Sequence, residues 1–156
     1  MESKNSKKVL LAKQSAAVTD FCKTIQGMVK SMHTKNKADA DIAQMREQMT
    51  IAIKEVPVDI FLRAGKHVWT YREDIAKGEV KSFLENDYQK EIEGEVADES
   101  EKEQVTNLIK KIKRTWRFFN TTEQADMIKK VQNLVKQYAI YESAKRELEK
   151  MDNAEN

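Results

Sequence analysis

Proline occurs once in 156 residues, at Pro57, and glycine four times, at positions 27, 65, 78 and 94. Tight hairpin turns and phosphate-cradling loops both draw on these residues, so a sheet protein or a phosphate-loop enzyme is not expected. Cysteine also occurs once, as Cys22, which removes any internal disulfide and fits a reducing compartment. Histidine is limited to His33 and His67, in separate predicted elements. A structural zinc site needs four Cys or His ligands at short paired spacings, and three such residues in total cannot supply it. No apolar run nears the ~20 residues that span a bilayer, so no membrane insertion is expected. The opening Met1–Lys8 is followed by no apolar h-region, and a secretory signal is not expected.

What remains is rich in Lys, Glu, Ala, Leu, Gln and Met, good helix formers, with apolar residues every three or four positions. The spacing predicts an all-α protein, a bundle of about five or six helices forming a single domain over residues 1–151, with a disordered tail at 152–156. The first helix is expected from Asn5 or Ser6, with a stripe of Leu11, Val18, Cys22, Ile25, Val29 and Met32 and with Phe21 beside it. The pattern lapses over Ser31–Lys37, which reads as a loop. A second helix from Asp39 or Asp41 carries Ile42, Met45, Met49 and Ile53 and must end before Pro57. Pro57 opens a third helix with Ile60, Phe61, Ala64, Val68 and Tyr71 on one face. Gly65 inside that pattern costs about 1 kcal/mol against alanine unless something packs closely on it. A turn at Lys77–Gly78 precedes a short helix through Val80, Phe83 and Leu84. Residues 85–99 read as a loop or a frayed helical end. Ser100–Glu103 has the form of a capping box before Val105, Leu108, Ile109, Ile112, Trp116 and Phe119. After a break at Asn120–Thr122, the last helix shows Met127, Val131, Leu134, Tyr138 and Tyr141.

Net charge is only +2, yet its layout is uneven. Residues 1–37 hold eight lysines against two acids, and residues 85–103 hold nine acids against two lysines. Residues 110–117 are basic again. Such segregation can steer partners or pair segments within the fold, and ordinary solvated helix faces are the simpler reading. The candidate contacts for a partner or a nucleic acid are Lys4, Lys7, Lys8 and Lys13 in the first segment. Lys110, Lys111, Lys113, Arg114 and Arg117 form the second. Basic residues interleaved with Trp116 and Phe119 could hold phosphates and stack bases. The same aromatics share a helical face with Val105, Ile109 and Ile112, which makes them core and leaves the lysines wet.

No catalytic constellation stands out, and no catalytic, cofactor-binding or metal-binding residue is assigned. Cys22 lies on the apolar stripe between Val18 and Ile25 and reads as a packed thiol rather than a nucleophile. The carboxylates Glu73, Asp74 and Glu79 flank a turn and read as capping and solubility.

Two blocks carry a resemblance. Asp59–Leu84, with Phe61, Tyr71, Ile75, Glu79, Phe83 and Leu84, is similar to a pattern in small helical proteins of large nucleocytoplasmic DNA viruses. Ile112–Tyr138 resembles the same family's C-terminal half through Trp116, the Asn120–Thr122 turn, Ile128, Val131, Leu134 and Tyr138. The chain departs from that pattern at Val80, where the family has a second acid, and at Ser82, where it has a phenylalanine. The resemblance covers about half the chain and rests on packing residues, so it transfers no site residue. It implies a small helical viral protein, often without assigned activity. Together with the absence of catalytic chemistry and the packing-rich sequence, the expectation is a non-enzymatic viral structural or interaction protein, a minor capsid or virion-associated component. Its expected partners are other proteins, capsid proteins among them, or further copies of itself through the heptad-like stripes. The expected location is the virion or the infected-cell cytoplasm or nucleus. The alternative is a nucleic-acid-associated factor using segments 4–13 and 110–117.

Overall fold

Two long antiparallel helices carry the molecule, and the computed structural model describes residues 2–155. Helix α1 spans Glu2–Lys35 and α8 spans Thr121–Glu155. Their register is pinned at three levels by polar pairs: Lys7 with Asp152 (3.2 Å), Asn133 with Asp20 and Thr24 (3.0 Å each), and Lys35 with Glu123 (2.7 Å). Between them lie α2 (Ala40–Glu55), α3 (Pro57–Thr70), α4 (Arg72–Ala76), α5 (Lys81–Glu85), α6 (Gln89–Glu95) and α7 (Glu99–Trp116). The protein is all-α, with eight helices among the described residues rather than five or six.

Several boundaries differ from the sequence reading, each for a physical reason. Helix α1 does not break at Ser31; the Ser31 and Thr34 hydroxyls donate back to the carbonyls of Gly27 and Lys30 within a continuous helix. Met32 packs against the core and Lys35 pairs with Glu123, so the last turn is held from outside. The buried stripe of α1 starts at Leu10, not at Leu11, which is 55% exposed. Leu10 shares a face with Ala17 and Phe21, both buried, at the heptad and eleven-residue steps of a helix. Residues 85–99 are not a loop throughout: Ile92 is buried and anchors α6 on α7. The predicted tail after Met151 continues α8 to Glu155, while Asn156, like Met1, lies outside the described residues.

Caps set the remaining ends. The Asp39 carboxylate accepts from the N–H groups of Asp41 and Ile42 at 2.9 and 3.1 Å and starts α2. Val56, held out of the helical region before Pro57 at φ −136° and ψ 57°, separates α2 from α3. Helix α7 is capped by Asp98, which accepts from Ser100 and Glu101, two residues ahead of the predicted capping box. A reciprocal box does form at α8, where Asn120 and Glu123 exchange side-chain to backbone bonds of 3.0 and 2.9 Å.

The core sits where α3 crosses α1 and α8. Phe21 and Phe61 are fully buried, with ring centres 4.9 Å apart and near edge-to-face. Phe61 also meets Tyr141 at 4.7 Å and Tyr138 at 5.6 Å. Cys22 is buried beside this cluster, its Sγ 3.6 Å from the Pro57 carbonyl, and burial pushes its thiol pKa up. Gly65 explains itself here: a Cβ at that position would stand 2.3 Å from the Tyr138 ring. Gly65→Ala is therefore expected to destabilise the protein by about 1–3 kcal/mol in urea unfolding, despite alanine's higher helix propensity. Gly94→Ala, with nothing within 4 Å of the added methyl, is the control and should stabilise by up to about 1 kcal/mol.

Candidate functional site

Away from the aromatic crossing, packing is incomplete. Every helix except α2 contributes to the walls of a cavity of about 550 Å³ that is partly open to solvent. Its depth is apolar, with Phe119, Met127 and Ile92 buried and Ile109, Ile112 and Trp116 presented by one face of α7. Met28 and Met32 of α1 and Val131 of α8 complete the floor. A volume of this order is that of a small-molecule pocket.

Carboxylates gather at the mouth. Asp74, Glu79, Glu91 and Glu95 line the cavity, with Glu79 and Glu95 exposed at its rim. His67 pairs with Glu95 at 2.9 Å, and no lysine or arginine is among the lining residues. One wall is closed by a polar relay. The Tyr71 hydroxyl donates to Glu91, the Asn86 amide donates to the Tyr71 oxygen at 3.1 Å, and the Lys113 ammonium donates to the Asn86 carbonyl. Lys113 also lies 5.7 Å over the Tyr88 ring, within cation–π range. The hydrogen bond from Tyr71 holds the Glu91 carboxyl below the usual range, and the same bond raises the Tyr71 phenol. Tyr88 adopts the left-handed conformation at φ 59°, with its N–H bound by the Asn86 side chain at 2.8 Å.

The predicted basic residues do not converge. Lys4, Lys7, Lys8 and Lys13 lie at the start of α1, whereas α7 meets the far end, where Asn36 donates to Thr115 at 3.2 Å. At 1.5 Å rise per residue the two segments are separated by roughly 35 Å along α1. Lys7 pairs with Asp152. Lys111 bridges Asp41 at 2.5 Å and Asp39 at 3.2 Å, which raises its own pKa. Asp39 is lowered: burial acts against ionisation, but the Ile42 N–H and Lys111 outweigh it. Lys113 belongs to the relay. Lys4, Lys8, Lys13, Lys110, Arg114 and Arg117 are exposed. Trp116 faces the cavity and Phe119 is buried, as the shared face with Ile112 implies, while Phe118 is 56% exposed.

The sequence carried no signal for the cavity itself, because its apolar residues read as ordinary stripes. The relay was equally hidden, since Tyr71, Asn86, Glu91 and Lys113 belong to four different segments. Among the described residues no three His, Cys, Asp or Glu side chains gather as a metal site, and no helix is long and apolar enough to cross a membrane. No family model, curated protein or solved structure matches the chain.

Burial pushes the Tyr88 phenol up to about 12, with Tyr71 and Glu91 adding to the rise. The folded chain then keeps a proton that the unfolded chain begins to lose near pH 10. The contribution of Tyr88 to stability is complete below that pH and is lost as pH rises toward 12. Absorbance titration at 295 nm should show one tyrosine ionising late, and Tyr88→Phe should abolish that last step.

Proposed function

We propose that this chain is a non-enzymatic interaction protein, a virion-associated or minor capsid component of the kind its sequence resembles. The observation that carries the reading is the free end of the α1–α8 pair. The corner between α2 and α3 at Pro57 lies against Cys22, so the shorter helices turn back there. Residues ahead of Ala17 on α1 are left to pack on α8, through Leu10 and Ala144. This end forms a two-helix arm with Lys4, Lys8 and Lys13 exposed and with Val9 and Leu11 each 55% exposed beside them. Long charged stems around apolar side chains make a surface that a protein partner can desolvate.

The partner is a protein with an acidic face, a capsid protein or a further copy of this chain. The reading places the chain in the particle or in the infected-cell cytoplasm or nucleus. For the nucleic-acid alternative the same geometry is unfavourable, since its two basic segments share no surface and Lys7, Lys111 and Lys113 are already engaged.

Cross-linking and mass spectrometry of purified particles provide the test. Cross-links from Lys4, Lys8 or Lys13 to a capsid component are expected, and the double variant Val9→Ser/Leu11→Ser should weaken capture of that component about tenfold. Exclusion from particles, together with no stable partner on pull-down, would sink the proposal. Binding to a DNA or RNA duplex that falls steeply with salt would favour the alternative.

A further inference from the structure

The cavity enclosed by α1 and α3–α8 lies at the other end of the molecule from the arm, and the interaction reading makes no use of it. Three features of it act together. First, its interior is apolar and half-open, so water within it meets few polar partners and an apolar guest would displace that water at little cost. Second, four carboxylates line it against one histidine, His67, which pairs with Glu95, and no lysine or arginine does, in a chain whose net charge is +2. Third, Lys113 of α7 is held out of it, fixed on the Asn86 carbonyl and over the Tyr88 face.

We propose that this cavity is a binding site for a small cationic amphiphile, an alkyl chain or comparable apolar body bearing one ammonium head. The apolar body occupies the space between Met28 and Met32 on one side and Ile109, Ile112 and Trp116 on the other. The head remains at the mouth, near Glu79 and the Glu95–His67 pair, where it keeps part of its hydration and gains above all the attraction of the Glu79 carboxylate. Glu91 is less available, because the Tyr71 hydroxyl already donates to it. An anionic amphiphile of equal length gains the same apolar burial and meets repulsion at the rim. Selectivity is thus a matter of the mouth, and affinity a matter of the depth.

The enclosure argues for a small ligand over a docked helix. A helix with its side chains is roughly 10 Å across and lies along a groove. This space is walled by residues from seven helices and not by the two or three that flank a groove, so a helix could reach it only with single side chains.

The full chain would be titrated with dodecylammonium chloride and, separately, with sodium dodecanoate, both below their micelle-forming concentrations. Heat and Trp116 emission, the latter in a Trp69→Phe background, are the readouts. Saturable binding of the amine is expected, with altered Trp116 emission and affinity at least about tenfold above that of dodecanoate. Glu79→Gln/Glu95→Gln, at exposed positions that leave the interior intact, should weaken amine binding about tenfold and leave dodecanoate unchanged or tighter. Val131→Phe, which fills the floor, should abolish it. Equal affinity for the two amphiphiles, binding indifferent to the mouth variant, or no binding of either would overturn the proposal. So would an 18-residue Leu/Lys peptide that displaces the amine and binds more tightly, since that outcome puts a macromolecule at the mouth.

Discussion

The Phe61 ring is the contact on which the arrangement depends. It stands between Phe21 of α1 and the Tyr138–Tyr141 face of α8, fully buried, with three ring partners within 5.6 Å. Each such pair contributes about 0.5–1.5 kcal/mol beyond its buried area, and truncation of a buried phenylalanine costs about 3–5 kcal/mol. Three helices distant in sequence are thereby fixed by one side chain. Gly65 is the condition for that contact, because α3 can approach Tyr138 only where no Cβ intervenes.

The half of the molecule built from α4–α7 is held by a different kind of force. Of its elements, α4, α5 and α6 are short, and isolated helices of five to seven residues have no stability of their own. Besides the buried Ile92 of α6 and the Tyr88 ring beside Tyr71 and Phe83, they are placed by polar contacts: the Lys113–Asn86–Tyr71–Glu91 relay, the Gln132 amide on the Ile75 carbonyl, and Lys102 between Glu93 and Glu99. Polar contacts fix distances without filling volume. The cavity follows from that division, with an aromatic crossing packed tight on one side and a framework of hydrogen bonds spanning unfilled space on the other.

Legibility in the sequence divided along the same line. The long helices, the break at Pro57 and the stripe through Val18, Cys22, Ile25 and Val29 all follow from period and punctuation, which are local properties. Leu10 was displaced by one position in favour of Leu11, since two adjacent leucines give periodicity no means to choose between them. Helix α6 was hidden because a single buried residue, Ile92, anchors it and a single residue has no period. The capping box went to Asn120–Glu123 and not to Ser100–Glu103, as the Asp98 carboxylate already accepts from the Ser100 and Glu101 N–H groups and starts the helix two residues earlier. The cavity could not be read at all, since the space left between stripes depends on helix placement and not on which residues are apolar.

Charge segregation along the chain resolves into two different outcomes in space. Much of it cancels inside the fold: Lys111 meets Asp39 and Asp41, Lys35 meets Glu123, and Lys102 meets Glu93 and Glu99. Surface pairs of this kind contribute little to stability singly, typically below about 1 kcal/mol, but they remove charge from the outward field. What they leave is a basic arm at the start of α1 and an acidic mouth beside α4 and α6, on opposite sides of the aromatic crossing. A chain with a net charge of only +2 thus presents two surfaces of opposite sign. Their separation by rigid helix prevents one from neutralising the other within a single molecule, and each remains available to a ligand or partner of the complementary charge.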